Sequence, residues 1–160
     1  MDNTPAHSGH VLDVNHIMRL IPHRQPFLLI DKVIDLVPDA RAVGIKNVTY
    51  NEPYFQGHFP GHPVMPGVLV IESMAQTAAV MVMATLQRTA ESGVVVYFMS
   101  VDDARFRKPI VPGDTLHIHV EKKHRRGNVW KFRGEAKVAG VVMAEAVFTA
   151  MIVEPKVGPK

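Results

Sequence analysis

Between His58 and Glu72 the chain reads HFPGHPVMPGVLVIE, two imidazoles in a Pro- and Gly-rich stretch with one carboxyl a little way into the apolar run that follows. Histidine takes up a proton readily near neutral pH, and a carboxyl beside it can deliver one. One base and one acid at a single centre suit the elimination of water or its addition. Gly67 and Val68 fall where that apolar run would begin as a helix. Their unpaired N–H groups and the helix dipole would polarise a carbonyl oxygen as charge develops on it. The chemistry implied is therefore acid–base work beside a carbonyl. The neighbours Val68, Leu69 and Ile71 favour a neutral, donating Glu72, while the helix dipole favours the ionised form by about 0.3–1 kcal/mol; the sequence leaves that balance open. Gln76 lies one turn beyond Glu72 and is placed to hold its carboxyl. His62 is read as a loop-orienting residue. A zinc site built on His58 and His62 would need the helical i, i+4 geometry that Phe59-Pro60-Gly61 denies, so no metal is expected.

Positioning these groups requires a rigid loop followed by a helix. Residues 51–67 hold too many Pro and Gly for a regular element, whereas Val68–Glu91 has neither and meets a Ser92-Gly93 stop. This helix is apolar almost all round, as one enclosed by a sheet should be. Its polar residues Glu72, Ser73, Gln76 and Thr77 fall within one arc of roughly 140°. Asp13 is placed to cap a short helix over Val14–Leu20. Strands are expected at Phe27–Val37, Arg41–Tyr50, Val94–Ser100 and Thr115–Glu121, then from Trp130 to Val138 and over Val141–Val153. In the fourth of these, Leu116, Ile118 and Val120 face one way, with His117, His119 and Glu121 opposite. The fold expected is α+β, a long central helix wrapped by a curved antiparallel sheet. Residues 1–10 read as a flexible arm, 11–153 as a single domain and 154–160 as a tail.

The 160 residues, 17.8 kDa and 47% hydrophobic, leave no room for a second catalytic domain. With zero Cys, disulfides, thiolate metal sites and cysteine nucleophiles are excluded, which fits a reducing compartment. The first residues are polar and lack a signal peptide's basic and apolar regions, so a cytoplasmic protein is expected. Its longest uncharged stretches are broken by Pro and Gly or too short to span a bilayer, so no membrane insertion is expected. A formal charge of +3 mildly favours an acidic partner. The basic run Lys122–Arg126 has no aromatic platform beside it and reads as a solvated hairpin end, not a nucleic-acid site.

Three segments occur together in order: IMRLIPHRQPFLLIDKV at 17–33, GHFPGHPVMPGVLVIESMAQ at 57–76 and ARFRKPIVPGDTL at 104–116. Over about residues 12–153 the chain resembles the beta-hydroxyacyl-acyl carrier protein dehydratases. The resemblance implies a hot-dog fold whose protomers pair to form active-site tunnels at the dimer interface, usually as a trimer of dimers, a homohexamer. It implies that His58 abstracts the C2 proton of a (3R)-hydroxyacyl thioester, that Glu72 of the partner chain helps the C3 hydroxyl leave, and that the Gly67 N–H holds the thioester carbonyl. The product would be a trans-2-enoyl chain for fatty acid biosynthesis. No cofactor is implied beyond the phosphopantetheine by which acyl carrier protein presents the substrate. In the related dehydratase-isomerases the acid is Asp and a Cys follows the glycine; here these are Glu72 and Val68, so isomerisation is not expected. By analogy, Arg105, Arg107 and Lys108 are candidates for carrier docking. Met74, Tyr97 and Phe98 are candidates for lining the tunnel, with core packing the alternative. The competing readings are a hot-dog acyl thioesterase, in which the helix carboxylate activates water, and a non-catalytic module binding acyl carrier or nucleic acid.

Overall fold

A computed structural model of the chain describes residues 10–156. The elements run β1 (His10–Leu12), α1 (Val14–Leu20), β2 (Lys32–Val37), β3 (Arg41–Asn47), α2 (Gly67–Leu86), β4 (Val95–Phe106), β5 (Thr115–Arg126), β6 (Val129–Val138) and β7 (Val141–Val153), with single 3-10 turns at Pro53–Gln56 and Ala90–Ser92. All strands join one seven-stranded sheet in the order β1-β2-β3-β5-β6-β7-β4, and every pairing is antiparallel. The expected arm lies outside the described residues except for His10, which opens β1. Of the expected tail, residues 154–156 are described and carry no regular structure.

The long helix α2 lies across the inner face of the sheet against β3, β5, β6 and β7. That face is supplied by alternate residues: Leu116, Ile118 and Val120 of β5, Trp130, Phe132 and Ala136 of β6, and Ala146, Phe148 and Ala150 of β7, all buried. The alternation read from the sequence is thus the one the sheet uses. Close approach of helix to sheet depends on Gly134, where an added Cβ would stand 2.7 Å from the Sδ of Met74. Ser73 and Thr77 are buried, yet each hydroxyl donates back within the helix, to Leu69 O at 2.8 Å and Ser73 O at 2.9 Å. No polar hydrogen is stranded there. By length and composition α2 could cross a membrane, but it is enclosed as the core helix of this sheet. This is the hot-dog arrangement.

Four boundaries differ from the sequence expectation by about five residues, each for a local reason, while β3 ends at Asn47, a little short of the expected Tyr50. The α2 helix stops at Leu86, not Glu91, because Gln87 turns left-handed (φ 52°) while its own N–H and that of Arg88 close on the carbonyls of Ala84 and Met83. Beyond Leu86 the chain reads QRT, with no apolar face left to bury. The first long strand begins only at Lys32, because the backbone of Phe27 and Leu29 is bonded by the Gln76 side chain in place of a neighbouring strand. The β4 strand continues to Phe106 through irregularities near Ser100 and Asp103. The β5 strand continues through the basic run to Arg126, paired with Val129, where solvent-facing charges mask the alternation.

Candidate active site

The loop carrying His58 is tied down by bonds on both sides. Lys46, on the inward face of β3 and 3% exposed, pairs with Glu52 Oε1 at 2.6 Å, and the other oxygen of Glu52 accepts Thr49 N–H at 3.1 Å. The pair anchors the 3-10 turn that follows, whose Tyr54 carbonyl accepts the N–H of His58 at 3.0 Å. Beyond His58, the backbones of Phe59 and His62 exchange hydrogen bonds of 3.0 and 2.9 Å, closing a tight turn. Val64 N–H returns to the His58 carbonyl at 3.0 Å, and Met65 N–H reaches Ile110 O at 2.8 Å. The Pro- and Gly-rich stretch is therefore an ordered structure, clamped to the segment that follows β4.

The half-buried His58 ring stacks on Phe59 with centroids 4.0 Å apart, and its Nδ1 stands 2.7 Å from the carbonyl oxygen of Val64. A carbonyl only accepts, so Nδ1 carries the proton and Nε2 is the basic nitrogen of the neutral ring. The ring lines a cavity of about 460 Å³ with Met65, Gly67, Val70, Phe106, Lys108 and Ile110. Gly67 opens α2 in this wall. Pro66 precedes it as the N-cap and no side chain caps this helix end; Leu69 N–H and Val70 N–H close on Pro66 O, which leaves the N–H groups of Gly67 and Val68, two residues that line the cavity, as the ones without an intrahelical acceptor. The Phe106 ring lies so close over Gly67 that a Cβ there would meet it at 2.7 Å. Only glycine permits that approach.

Within the same chain, Glu72 lines a different cavity. This one is small, about 50 Å³, and shared with His23, Gln76, Phe98, Phe132 and Phe148. Gln76 donates to Glu72 Oε1 at 3.0 Å, as expected, and also does more: its amide donates to Phe27 O at 2.6 Å, while its oxygen accepts Leu29 N–H at 2.9 Å. It ties the 27–29 segment to the turn of α2 that carries Glu72. His23 Nε2 stands 3.5 Å from Glu72 Oε1.

The other candidate residues divide. Phe98 borders the Glu72 cavity, edge-on to Phe148 with centroids 5.8 Å apart. Tyr97 is exposed on the same strand and lines neither cavity. Met74 is fully buried against Gly134 and fills the gap between helix and β6, the core placement that is the alternative to the tunnel reading. The exposed His62 contributes its backbone to the turn. Arg107 and Lys108 line the His58 cavity, and Arg107 is bonded to both carboxylate oxygens of Glu145, at 3.1 and 3.2 Å. That pair holds Glu145 below the usual carboxylate range. Arg105 is exposed and lines neither cavity. Two residues escaped the sequence reading. Lys46 was signalled by its place in the inward series Ala42, Gly44, Lys46, Val48. His23 sits in the quoted 17–33 segment, but nothing in its spacing points to Glu72.

With fold and cavities defined, likeness to known proteins becomes informative. Residues 21–147 match the FabA-like domain. The chain belongs to the FabA-like family. It is 63% identical over 150 residues to the 3-hydroxyacyl-acyl-carrier-protein dehydratase FabZ of Acidiphilium cryptum (strain JF-5), covering 94% of this chain and 90% of that protein. It is 64% identical over 148 residues to the FabZ of Paramagnetospirillum magneticum, covering 92% and 91%. Among solved structures it is similar to the dehydratase heterocomplex ApeI:P of Xenorhabdus doucetiae, with TM-score 0.73 at 20% identity over 88% of this chain and 91% of that one. A hypothetical thioesterase protein of Streptococcus pneumoniae TIGR4, solved with coenzyme A, gives TM-score 0.56 at 14% identity, over 74% of this chain and 82% of that one. At these identities the two structures speak for the fold alone.

Proposed function

We propose that the protein is a 3-hydroxyacyl-acyl-carrier-protein dehydratase of fatty acid biosynthesis, acting at a site that two copies of the chain complete. The observation that carries this reading is the fixed tautomer of His58 beside the uncapped start of α2: a basic Nε2 and free backbone donors share one cavity. Identity above 60% to two proteins named for this activity supports the substrate class.

In the dehydration direction His58 Nε2 takes the C2 proton of the (3R)-hydroxyacyl thioester. The C–H electron pair becomes the C2=C3 double bond as the C3–O bond breaks. Glu72 gives its proton to the departing hydroxyl, which leaves as water, and the product is the trans-2-enoyl thioester. Charge gathering on the thioester oxygen is met by the Gly67 N–H, a type of donor commonly worth about 10²–10³ in rate. A proton passed from His58 back to Glu72 through solvent restores both groups. The substrate arrives on the phosphopantetheine of acyl carrier protein, whose acidic surface would meet Arg105, Arg107 and Lys108, and the reaction belongs to the cytoplasm.

A second copy enters because His58 and Glu72 of one chain line different cavities. The sheet also ends at β4, a twelve-residue strand with Tyr97, Phe98, Met99 and Val101 all exposed. A long apolar edge strand invites pairing, and joining β4 to its symmetry mate suits a two-fold dimer. The trimer-of-dimers assembly is part of the same proposal. Mixing chains tests it. If one site takes His58 from one copy and Glu72 from the other, His58→Ala and Glu72→Gln chains, each inactive alone, will recover roughly a quarter of wild-type turnover when co-assembled at random. No recovery in verified mixed dimers would put both groups on one chain.

A further inference from the structure

We infer that His23 is a positioning residue for Glu72, holding the acid from a fixed seat as a neutral donor through Nε2. This rests on the acid role of Glu72 proposed above.

Three observations carry it. First, His23 is held without help from its ring. Its carbonyl accepts from the Arg24 guanidinium at 2.6 Å, and the same guanidinium bonds the carbonyls of Ile21 and Met18, each at 2.9 Å. Phe27 N–H and Leu28 N–H then close on Arg24 O at 2.7 and 3.1 Å, and Gln76 fastens Phe27 and Leu29 to α2. The segment is pinned on both sides of His23, and one pin is the residue that also bonds Glu72.

Second, the imidazole is oriented with Nε2 toward Glu72 Oε1 at 3.5 Å, and the two side chains are similarly sheltered, 29% and 31% exposed. At that distance the contact is electrostatic, and a small ring rotation makes it a hydrogen bond. Catalytic hydrogen bonds are often this long before substrate is bound.

Third, the other ring nitrogen fixes the tautomer. His23 Nδ1 is buried and meets no hydrogen-bond partner among the described residues. A bare lone pair is the state that strands no N–H there, so the proton sits on Nε2, facing the carboxyl. His58 is the reverse case, with Nδ1–H spent on Val64 O and Nε2 left bare. One histidine is set to accept a proton and the other to donate a hydrogen bond. Within one chain, His23 and Glu72 are the only titratable groups among the described residues lining this cavity, so no other ionisable side chain of the same chain competes there for the carboxyl.

The test uses the full chain and the hydration of a crotonoyl-pantetheine thioester. In His23→Gln the amide nitrogen falls near the place of Nε2; in His23→Asn it falls near Nδ1, out of reach of Glu72. His23→Ala and His23→Asn should lower kcat by tenfold or more with KM within about twofold, and His23→Gln should return kcat to within about threefold of wild type. A merely structural role would not separate Gln from Asn at equal thermal stability. Should the Ala variant fail to fold, the Gln–Asn contrast decides alone. A wild-type kcat in folded His23→Asn, a loss confined to KM, or equal losses in Gln and Asn would overturn the inference. Glu72→Gln runs in parallel. If it is inactive while His23→Asn is normal, only the role of His23 falls; if Glu72→Gln is itself active, the acid assignment falls and this inference with it.

Discussion

Replacing Glu52 by Gln should destabilise the protein by about 3–5 kcal/mol, the cost found when one partner of a buried ion pair is removed. The number follows from the setting. The Lys46 and Glu52 side chains are 4% and 19% exposed and lie 2.6 Å apart. At an effective dielectric near 20 their attraction is roughly 6 kcal/mol, while desolvating the ammonium and carboxylate costs several kcal/mol each. The intact pair thus contributes little net stability. Deleting only the carboxylate charge leaves the ammonium buried with its desolvation cost unopposed. Lys46→Met together with Glu52→Gln removes both charges and should lie within about 1 kcal/mol of wild type. Urea unfolding gives the free energies, and the single variant should melt roughly 6–20 °C lower, given about 2–4 °C per kcal/mol at this size. Because Glu52 opens the turn that bonds His58, the single variant should also lose turnover below its melting range, and the double variant should regain most of it. A Glu52→Gln protein within 1 kcal/mol of wild type, or a double variant as unstable as the single, would refute this account of how the loop is held.

Gly67→Ala should leave stability nearly unchanged yet lower kcat/KM about ten- to a hundredfold, because the 55% exposed Phe106 ring yields to the new methyl by moving into the His58 cavity; steady-state kinetics with a melting curve checks both halves. Gly134→Ala should cost about 1–3 kcal/mol of stability, since its methyl would press on the fully buried Met74, and chemical denaturation reads this directly. His119 is pushed below the ordinary 6.5, first by burial and then by Lys137 and His117, so the unfolded chain binds its proton more readily than the folded one. Its contribution is therefore fully present above pH 6.5 and is lost as pH falls below that value, and His119→Gln should flatten the melting temperature across this window.

How much of this was legible in the sequence depended on whether a residue's role was local. The single long helix, its enclosed character and the inward set Leu116, Ile118, Val120 followed from spacing, because burial on one face imposes a period that the chain itself displays. The helix end did not, since Arg88 to Glu91 are acceptable helix formers and only the absence of anything to pack against stops α2 at Leu86. Met74 was ambiguous because a methionine fits a core gap or a ligand wall equally well, and the glycine facing it on β6 decided the matter. The separation of one chain's His58 and Glu72 into two cavities was implied only by the family resemblance, which gives the acid to the partner chain; spacing alone did not show it, because sequence proximity says nothing of which side of a helix meets which wall. His23 was missed for the same reason: its neighbour lies far along the chain, brought near by Gln76 and Arg24.

The most direct test of the central claim is one incubation of the purified protein with a crotonoyl-pantetheine thioester, following enoyl absorbance and free thiol together and repeating the run with His58→Ala. A dehydratase with His58 as its base will lose enoyl absorbance without releasing thiol, form the hydroxyacyl thioester, and do neither once His58 is changed. Thiol release matching the loss of thioester, or unchanged hydration by a folded His58→Ala protein, would contradict it.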